Sequence, residues 1–494
     1  MPENPPVAGK AKAPDYFIAF STFYLILPNL IFLLTWVRPI IGIPAALLVG
    51  WSWTRIALVD SGMHSPRRRL DRNTMLFVIF AGLGWIALAG VGGFIPRMDY
   101  AKHELVFHDL ASQRWPVTYE DSHGKSYLCY AMGYYLLPSL GMRTFGEAAL
   151  PLLSFAWTGI GICLFFYWIA TLNKSSRRFL VVFLFYAGWG IIWLWIRGGS
   201  GIGQTPRGVR INDAGLFHNY FDSWDKLEDA PQHATAAWLA TAVLYEMLWV
   251  KRDPSGAGLV WTSVLLWSPF SAVGLLLLPL VTITRSKFTG WFSLPNLLGG
   301  GALLLTMGIY FSGHLKLENS GPIWTVAKTS MWPVYYCLYI VTQLFPAFCV
   351  LLLEKKYGIL GEFKPLFLGA VATLLVLPLY KAGWNNDLRL QASAPALVIA
   401  AIAVGLCFTH EGFSPRRPLC FLLIVAFCIG AIYPTVRPFH NLATNRERYH
   451  YDYIANVLRI HHLVDLNSHR QSYDLPAQYL GSQESSAYRW LLKR

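Results

Sequence analysis

Apolar runs long enough to cross a bilayer recur along this chain of 494 residues, and no other feature constrains its fold as strongly. A helix needs about 20 predominantly apolar residues to span the hydrocarbon core. Such runs lie near 16–36, 39–58, 73–94, 146–171, 179–196, 233–250, 290–311, 331–353, 365–380, 392–409 and 418–435. The stretch 258–283 is apolar too, but Trp267-Ser268-Pro269-Phe270 interrupts it. It reads as one kinked helix or as two short helices forming a hairpin. The pattern predicts an all-α polytopic membrane protein with about 11 to 13 transmembrane helices and its polar loops gathered at the outer face. Composition agrees, since 54% of the residues are hydrophobic and only 14% charged, against roughly 25% charged in soluble domains. Mean hydropathy is +0.40.

The same pattern excludes other classes. The first fifteen residues are Pro-rich and polar and lead into two successive spans, so they do not read as a cleavable signal peptide. All seven cysteines sit in apolar segments, without metal-like spacing, and read as packing residues. The net charge of +14 is carried by loops beside the spans, which fits anionic lipid and argues against nucleic acid.

Short basic loops fix an orientation. Arg67-Arg68-Arg69, Lys174 with Arg177-Arg178, Lys251-Arg252, Arg285 with Lys287, Lys355-Lys356 and Arg416-Arg417 mark the inner face. They agree with one alternating topology only if 258–283 crosses twice or dips in and returns, which favours the hairpin. Residues 1–435 then form a transmembrane domain with outer loops at 94–127, 197–232, 312–330 and 381–391. Residues 436–494 form a small outer-face segment. The connections rich in His, Asp, Asn and Trp fall on that outer face, while the span interiors are mostly aliphatic and aromatic. A transporter would more often place ionisable groups at mid-membrane.

The first outer loop opens with Met98-Asp99-Tyr100-Ala101-Lys102-His103 and continues through His108-Asp109. If 99–110 is helical, Asp99, Lys102 and His103 share a face, with Asp109 on a neighbouring one. A carboxylate there can take a proton from an acceptor hydroxyl, and Lys102 or His103 can hold a phosphate. The plainer reading is a solvated amphipathic helix on the membrane surface. Trp115–Tyr119 follows, and 127–138 is aromatic but too short and broken to span, which predicts an interfacial or re-entrant helix.

The second outer loop carries Arg207, Arg210, Asp213, His218, Asp222 and Asp225, then Pro231-Gln232-His233. Arg207 and Arg210 suit bidentate contacts to a lipid phosphate or pyrophosphate, and His218 and His233 suit substrate contacts. The glycine-rich 198–203 lacks the Lys and Ser/Thr of a P-loop. Late in the chain, Asp387 and Arg389 stand at a helix mouth, where the guanidinium can meet a phosphate or simply pair with Asp387. His461-His462 in the tail reads as helix surface, and the tail itself as a cap over the outer loops.

The order of these features resembles the GT-C superfamily of polytopic glycosyltransferases. The likeness rests on Asp99–His103, Trp115–Tyr119, Gly133–Pro138, Asn386–Pro395 and the closing Tyr479–Leu491. It implies a multi-pass protein of the bacterial inner membrane that moves a sugar from a polyprenyl-phosphate donor to a lipid or glycan acceptor at the periplasmic face. By the same likeness Asp99 is the general base. Many members pair two acids there. Here Tyr100 follows Asp99, so a second acid would come from Asp109 or from 213–225. Lys102, Arg207, Arg210 and Arg389 would stabilise the leaving phosphate, and a divalent cation is optional. Two competing readings are an O-antigen polymerase or ligase-like enzyme, resting on arginines and a histidine, and a lipid-linked glycan flippase.

Overall fold

The computed structural model describes residues 15–59, 70–93, 98–121, 124–190, 192–193, 217, 219–220, 222–285, 288–315, 320–383, 386–444, 462–465 and 479–492. Among these, seven helices are long and apolar enough to cross a membrane: Tyr16–Thr35, Pro39–Ala57, Glu147–Thr171, Trp332–Tyr357, Gly361–Leu379, Asp387–Thr409 and Pro418–Phe439. The chain is an all-α, multi-pass membrane protein; among the described residues seven helices meet that length, with Arg72–Leu88 and Pro269–Thr282 as shorter apolar helices, against the 11 to 13 spans that the apolar runs predict.

Helix α1 (Tyr16–Thr35) starts at Asp15, whose Oδ1 accepts from the Ile18 N–H and whose Oδ2 takes Lys251 Nζ at 2.9 Å. Helices α2 (Pro39–Thr54) and α3 (Arg72–Leu88) follow, α3 capped by Asp71 accepting from Thr74 N–H at 2.9 Å. Helix α4 (Met98–Ser112) leads to an antiparallel hairpin of β1 (Thr118–Asp121) and β2 (Gly124–Leu128). One 3-10 turn, Met132–Tyr134, then precedes α5 (Leu136–Phe145), α6 (Leu150–Thr171) and α7 (Ser176–Phe185).

Helix α8 (Ser223–Asp229) joins α9 (Pro231–Leu244), which runs on through Tyr245–Val250. Of the α9 residues all but His233 are buried, so this helix is walled by protein and not by lipid. That setting accommodates its Gln, Thr and His, and it explains why the expected span 233–250 is the least apolar of the set. The expected span 179–196 is cut short because α7 ends at Phe185 and the chain turns extended at Tyr186.

Helices α10 (Ala257–Ser263), α11 (Pro269–Leu275) and α12 (Leu277–Thr282) make up 258–283. The segment folds back on itself as a hairpin. Its two ends share a face, because Lys251 pairs with Asp15 while Arg285 stacks over Trp249 at 4.2 Å. Its apex lies at mid-depth, where Trp267 Nε1 donates to the Leu25 carbonyl in the middle of α1 at 2.9 Å. Ser268 caps α11 and Pro269 occupies its first turn, where a missing N–H costs nothing.

Helix α13 (Gly301–Ser312) continues from Pro295–Gly300. The two-residue strand β3 (Gly321–Pro322) precedes α14 (Trp332–Tyr357) and α15 (Lys364–Val376), and pairs with β4 (Tyr380–Lys381). The bundle is completed by α16 (Asp387–Ala392), α17 (Ala394–Thr409) and α18 (Pro418–Thr444), the last running past residue 435. Strand β5 (Leu480–Ser482) adds to β2, with Ser126 opposite Ser482 and Leu128 opposite Leu480. A bridge from His314 to Gly481 and another from Val37 to Leu492 tie the tail to two further loops. This sheet caps one face of the bundle.

The stretch 127–138 departs from the helix the sequence predicts. Tyr127 and Leu128 belong to β2, and the backbone beyond them is taken by long-range partners: Cys129 N–H donates to Tyr479 and Gly133 N–H to Leu266, at 2.8 and 2.9 Å. A Cβ on Gly133 would stand 2.7 Å from the Trp267 ring, so only glycine lets this turn reach the hairpin apex.

Candidate functional site

Helix α4 carries Lys102 and His103 on its first turns, and Asp99 lies one turn earlier, with its side chain outside the described residues. His103 is buried, with Nδ1 2.6 Å from the Tyr135 hydroxyl at the start of α5. Ser139 Oγ donates to the Phe107 carbonyl, and the Phe107 and Tyr135 rings meet edge-on at 5.0 Å. These contacts lock α4 against α5.

Helix α8 contributes a lysine. Asp222 caps it, its Oδ1 accepting from the N–H groups of Trp224 and Asp225 at 2.8 and 2.9 Å. Burial pushes the Asp222 carboxyl up to about 6, against those two hydrogen bonds and Arg437. Lys226 is buried and donates to the Leu390 carbonyl and, at 2.7 Å, to Gln391 Oε1. Burial drives its ammonium well below the usual lysine value, opposed by Asp225 and Asp387. On the other side of α8, Arg437 from α18 reaches Asp225, Glu228 (2.9 Å) and Asp229 (3.2 Å).

Gln232 and His233 open α9 beside this lysine. Gln232 Nε2 donates to the Tyr130 hydroxyl at 3.2 Å, and the Tyr130 ring lies 4.4 Å from Tyr479 and 6.0 Å from Tyr135. Lys102 and Asp387 act electrostatically on the Tyr130 hydroxyl, and Lys226 and His103 on the His233 ring. Contacts thus link His103, Tyr130, Gln232 and the tail's Tyr479 in one corner, with His233 next to Gln232 in sequence and Lys102, Lys226 and Asp387 within electrostatic reach. The corner offers two lysine amines, two imidazoles, hydroxyls and a carboxamide. That inventory suits an anion together with a hydrogen-bonding group beside it.

The other predicted site residues are distributed differently. Asp109 is fully buried about two turns along α4 from Lys102. Its Oδ1 accepts from His462 Nδ1 at 2.7 Å and Gln113 Nε2 at 3.2 Å, and its Oδ2 from the Tyr119 hydroxyl at 2.8 Å and Leu463 N–H at 3.0 Å. It clamps the tail onto α4. The hydrogen bond to Asp109 raises the His462 ring above its usual value, so this histidine is paired and not plain surface.

Arg389 is 0% exposed and lies over the Tyr339 and Tyr220 rings at 5.2 and 6.0 Å. It faces the bundle interior, while Asp387 acts electrostatically on Lys226, Tyr130 and Lys381. Arg207, Arg210 and His218 lie outside the described residues. Sequence reasoning passed over Lys226 and Tyr130. The available signal for Lys226 was a single basic residue inside the acidic run Asp222–Asp229.

Among the described residues no three of His, Cys, Asp and Glu are placed to hold a metal ion. No family model, curated protein or solved structure matches the chain.

Proposed function

We propose that the chain is a membrane glycosyltransferase of the GT-C type, moving a hexosyl or pentosyl group from a polyprenyl-phosphate donor to a lipid or glycan acceptor at the outer face. The observation that carries this reading is a linked set of contacts, His103 to Tyr135, Tyr135 to Tyr130, Tyr130 to Gln232 and Lys226 to Gln391, which gathers side chains of three separate loops about the start of α9. Such a corner admits a phosphate headgroup from the bilayer while its prenyl chain stays among lipid.

In this mechanism the acceptor hydroxyl gives its proton to a carboxylate, assigned to Asp99 on the turn of α4 that precedes Lys102. The acceptor oxygen bonds to the anomeric carbon, the bond from that carbon to the phosphate oxygen breaks, and its electron pair leaves on the polyprenyl phosphate. Lys102 and Lys226 meet the charge that develops on the phosphate. An incoming phosphate also favours the ammonium form of Lys226, offsetting the desolvation that depresses it. No step runs through a divalent cation.

A transfer assay with labelled polyprenyl-phosphate sugars, comparing the wild type with Asp99→Asn, tests the reading. Loss of a positioned general base should lower transfer by roughly 10²–10⁴-fold. Full activity in Asp99→Asn removes Asp99 from the mechanism. Absence of transfer from every such donor in the wild type overturns the reading itself.

A further inference from the structure

Two consecutive residues at the start of α9 each leave a buried polar atom without a hydrogen-bond partner among the described residues. They are Oε1 of Gln232 and Nδ1 of His233. Gln232 is only 3% exposed, and its other amide atom is committed to the Tyr130 hydroxyl. Exchanging the oxygen and nitrogen of the carboxamide does not remove the orphan. Oε1 would then accept from Tyr130, and the NH2 would stand without an acceptor. Buried polar groups are nearly always satisfied, so two adjacent exceptions beside the lysine corner ask for a partner.

We propose that Gln232 and His233 read hydroxyl groups of the substrate, and so set the selectivity for a sugar-bearing lipid phosphate. This rests on the donor-phosphate reading above. A phosphate diester at neutral pH carries no proton to give the Gln232 oxygen. A sugar hydroxyl both donates and accepts, so the hydroxyls of one sugar ring can serve the carboxamide and the imidazole. Lys102 and Lys226 would take the phosphate and Gln232 with His233 the adjoining ring, a division of labour that follows from charge. Gln232 is thus a specificity residue. A site built to bond a hydroxyl rejects the analogue lacking it, because its own polar groups are then left bare.

The test is titration of the full chain in lipid nanodiscs with a short prenyl phosphate blocked as its methyl diester and with the same prenyl phosphate bearing a hexose in place of the methyl group. The wild type should prefer the hexose compound by at least about tenfold. Gln232→Met, of similar length and without hydrogen-bonding atoms, should bind the two compounds equally and keep its affinity for the methyl diester. His233→Phe is read in the same way should Gln232→Met not fold. Equal binding of both compounds by the wild type overturns this inference and leaves the phosphate site standing. A full preference retained in Gln232→Met also overturns it, and means that water alone serves the two atoms. Binding of neither compound by the wild type overturns the phosphate reading and this inference with it.

Discussion

Asp222 illustrates how one buried carboxyl can hold a helix start and still weaken the fold. Its cap on α8 uses both hydrogen bonds at Oδ1, which a carboxamide oxygen can accept equally well. Its charge is another matter, since burial raises the folded carboxyl to about 6, while an unfolded aspartate titrates near 3.9. Between those values the unfolded chain has released a proton that the folded chain still holds. Stability therefore falls as pH rises from about 4 to 6 and stays at the lower level above. Asp222→Asn keeps the cap and removes this dependence. Its apparent melting temperature should exceed that of the wild type at pH 8 and match it near pH 4. A lower melting temperature at pH 8 would mean that the Arg437 attraction outweighs the desolvation. Asp222 and its neighbours also show what sequence leaves hidden. Lys102, His103, His233 and Asp387 are legible because each stands in or beside a polar stretch that borders an apolar run. Lys226 sits among the acids of the second loop, and only its bonds to Leu390 and Gln391 of α16 reveal it as buried.

Helix α8 is too short to be stable alone, and its position depends on one residue from far along the chain. The Arg437 guanidinium spreads over Asp225, Glu228 and Asp229, and Trp224 Nε1 adds a hydrogen bond to Glu228 at 2.6 Å. Arg437→Ala leaves buried carboxylates uncompensated, a change that costs about 3–5 kcal/mol. Apparent melting of the detergent-solubilised variant should drop by several degrees, and hydrogen exchange over 223–229 should rise. Arg437→Lys should fall between, because an ammonium cannot fork across three carboxylates. An unchanged melting temperature in Arg437→Ala would show that α8 is held by its apolar face, through Trp224 and Leu227, and not by charge. This clamp is illegible in sequence, since 208 residues separate Asp229 from Arg437. The hairpin at 258–283 is the opposite case. Its proline and serine mark the break, and basic residues at both ends mark the shared face. The segment 127–138 misleads because its aromatic composition fits a helix or a strand. Its backbone is claimed by Tyr479 and Leu266, which no local pattern announces.

Across the whole molecule, the contacts sort the loops onto two faces with the basic loops apart from the sheet. On one side, strand β5 joins β2 of the loop that follows α4, His314 bridges to Gly481, and Arg38 N–H donates to the Leu491 carbonyl. On the other, Lys251 pairs with Asp15, Arg252 approaches Glu362 at 3.9 Å, and Lys364 approaches Glu354 at 3.4 Å. A bundle with a polar cap on one face and short basic turns on the other follows the positive-inside pattern when the basic face is cytoplasmic. The hairpin is the sharpest consequence of that arrangement, because a single crossing by 258–283 would put residues 252 and 284 on opposite sides. Cysteines placed at Arg252, Thr284, Glu362 and Glu484, one at a time in a variant with all seven native cysteines replaced, distinguish the two. An impermeant maleimide applied to intact cells should label Glu484→Cys alone, and the other three only after permeabilisation. Labelling of Thr284→Cys together with Glu484→Cys would make 258–283 a true span. The corner of Lys102, Lys226 and His233 would then lose the hairpin apex that props Gly133 beneath it.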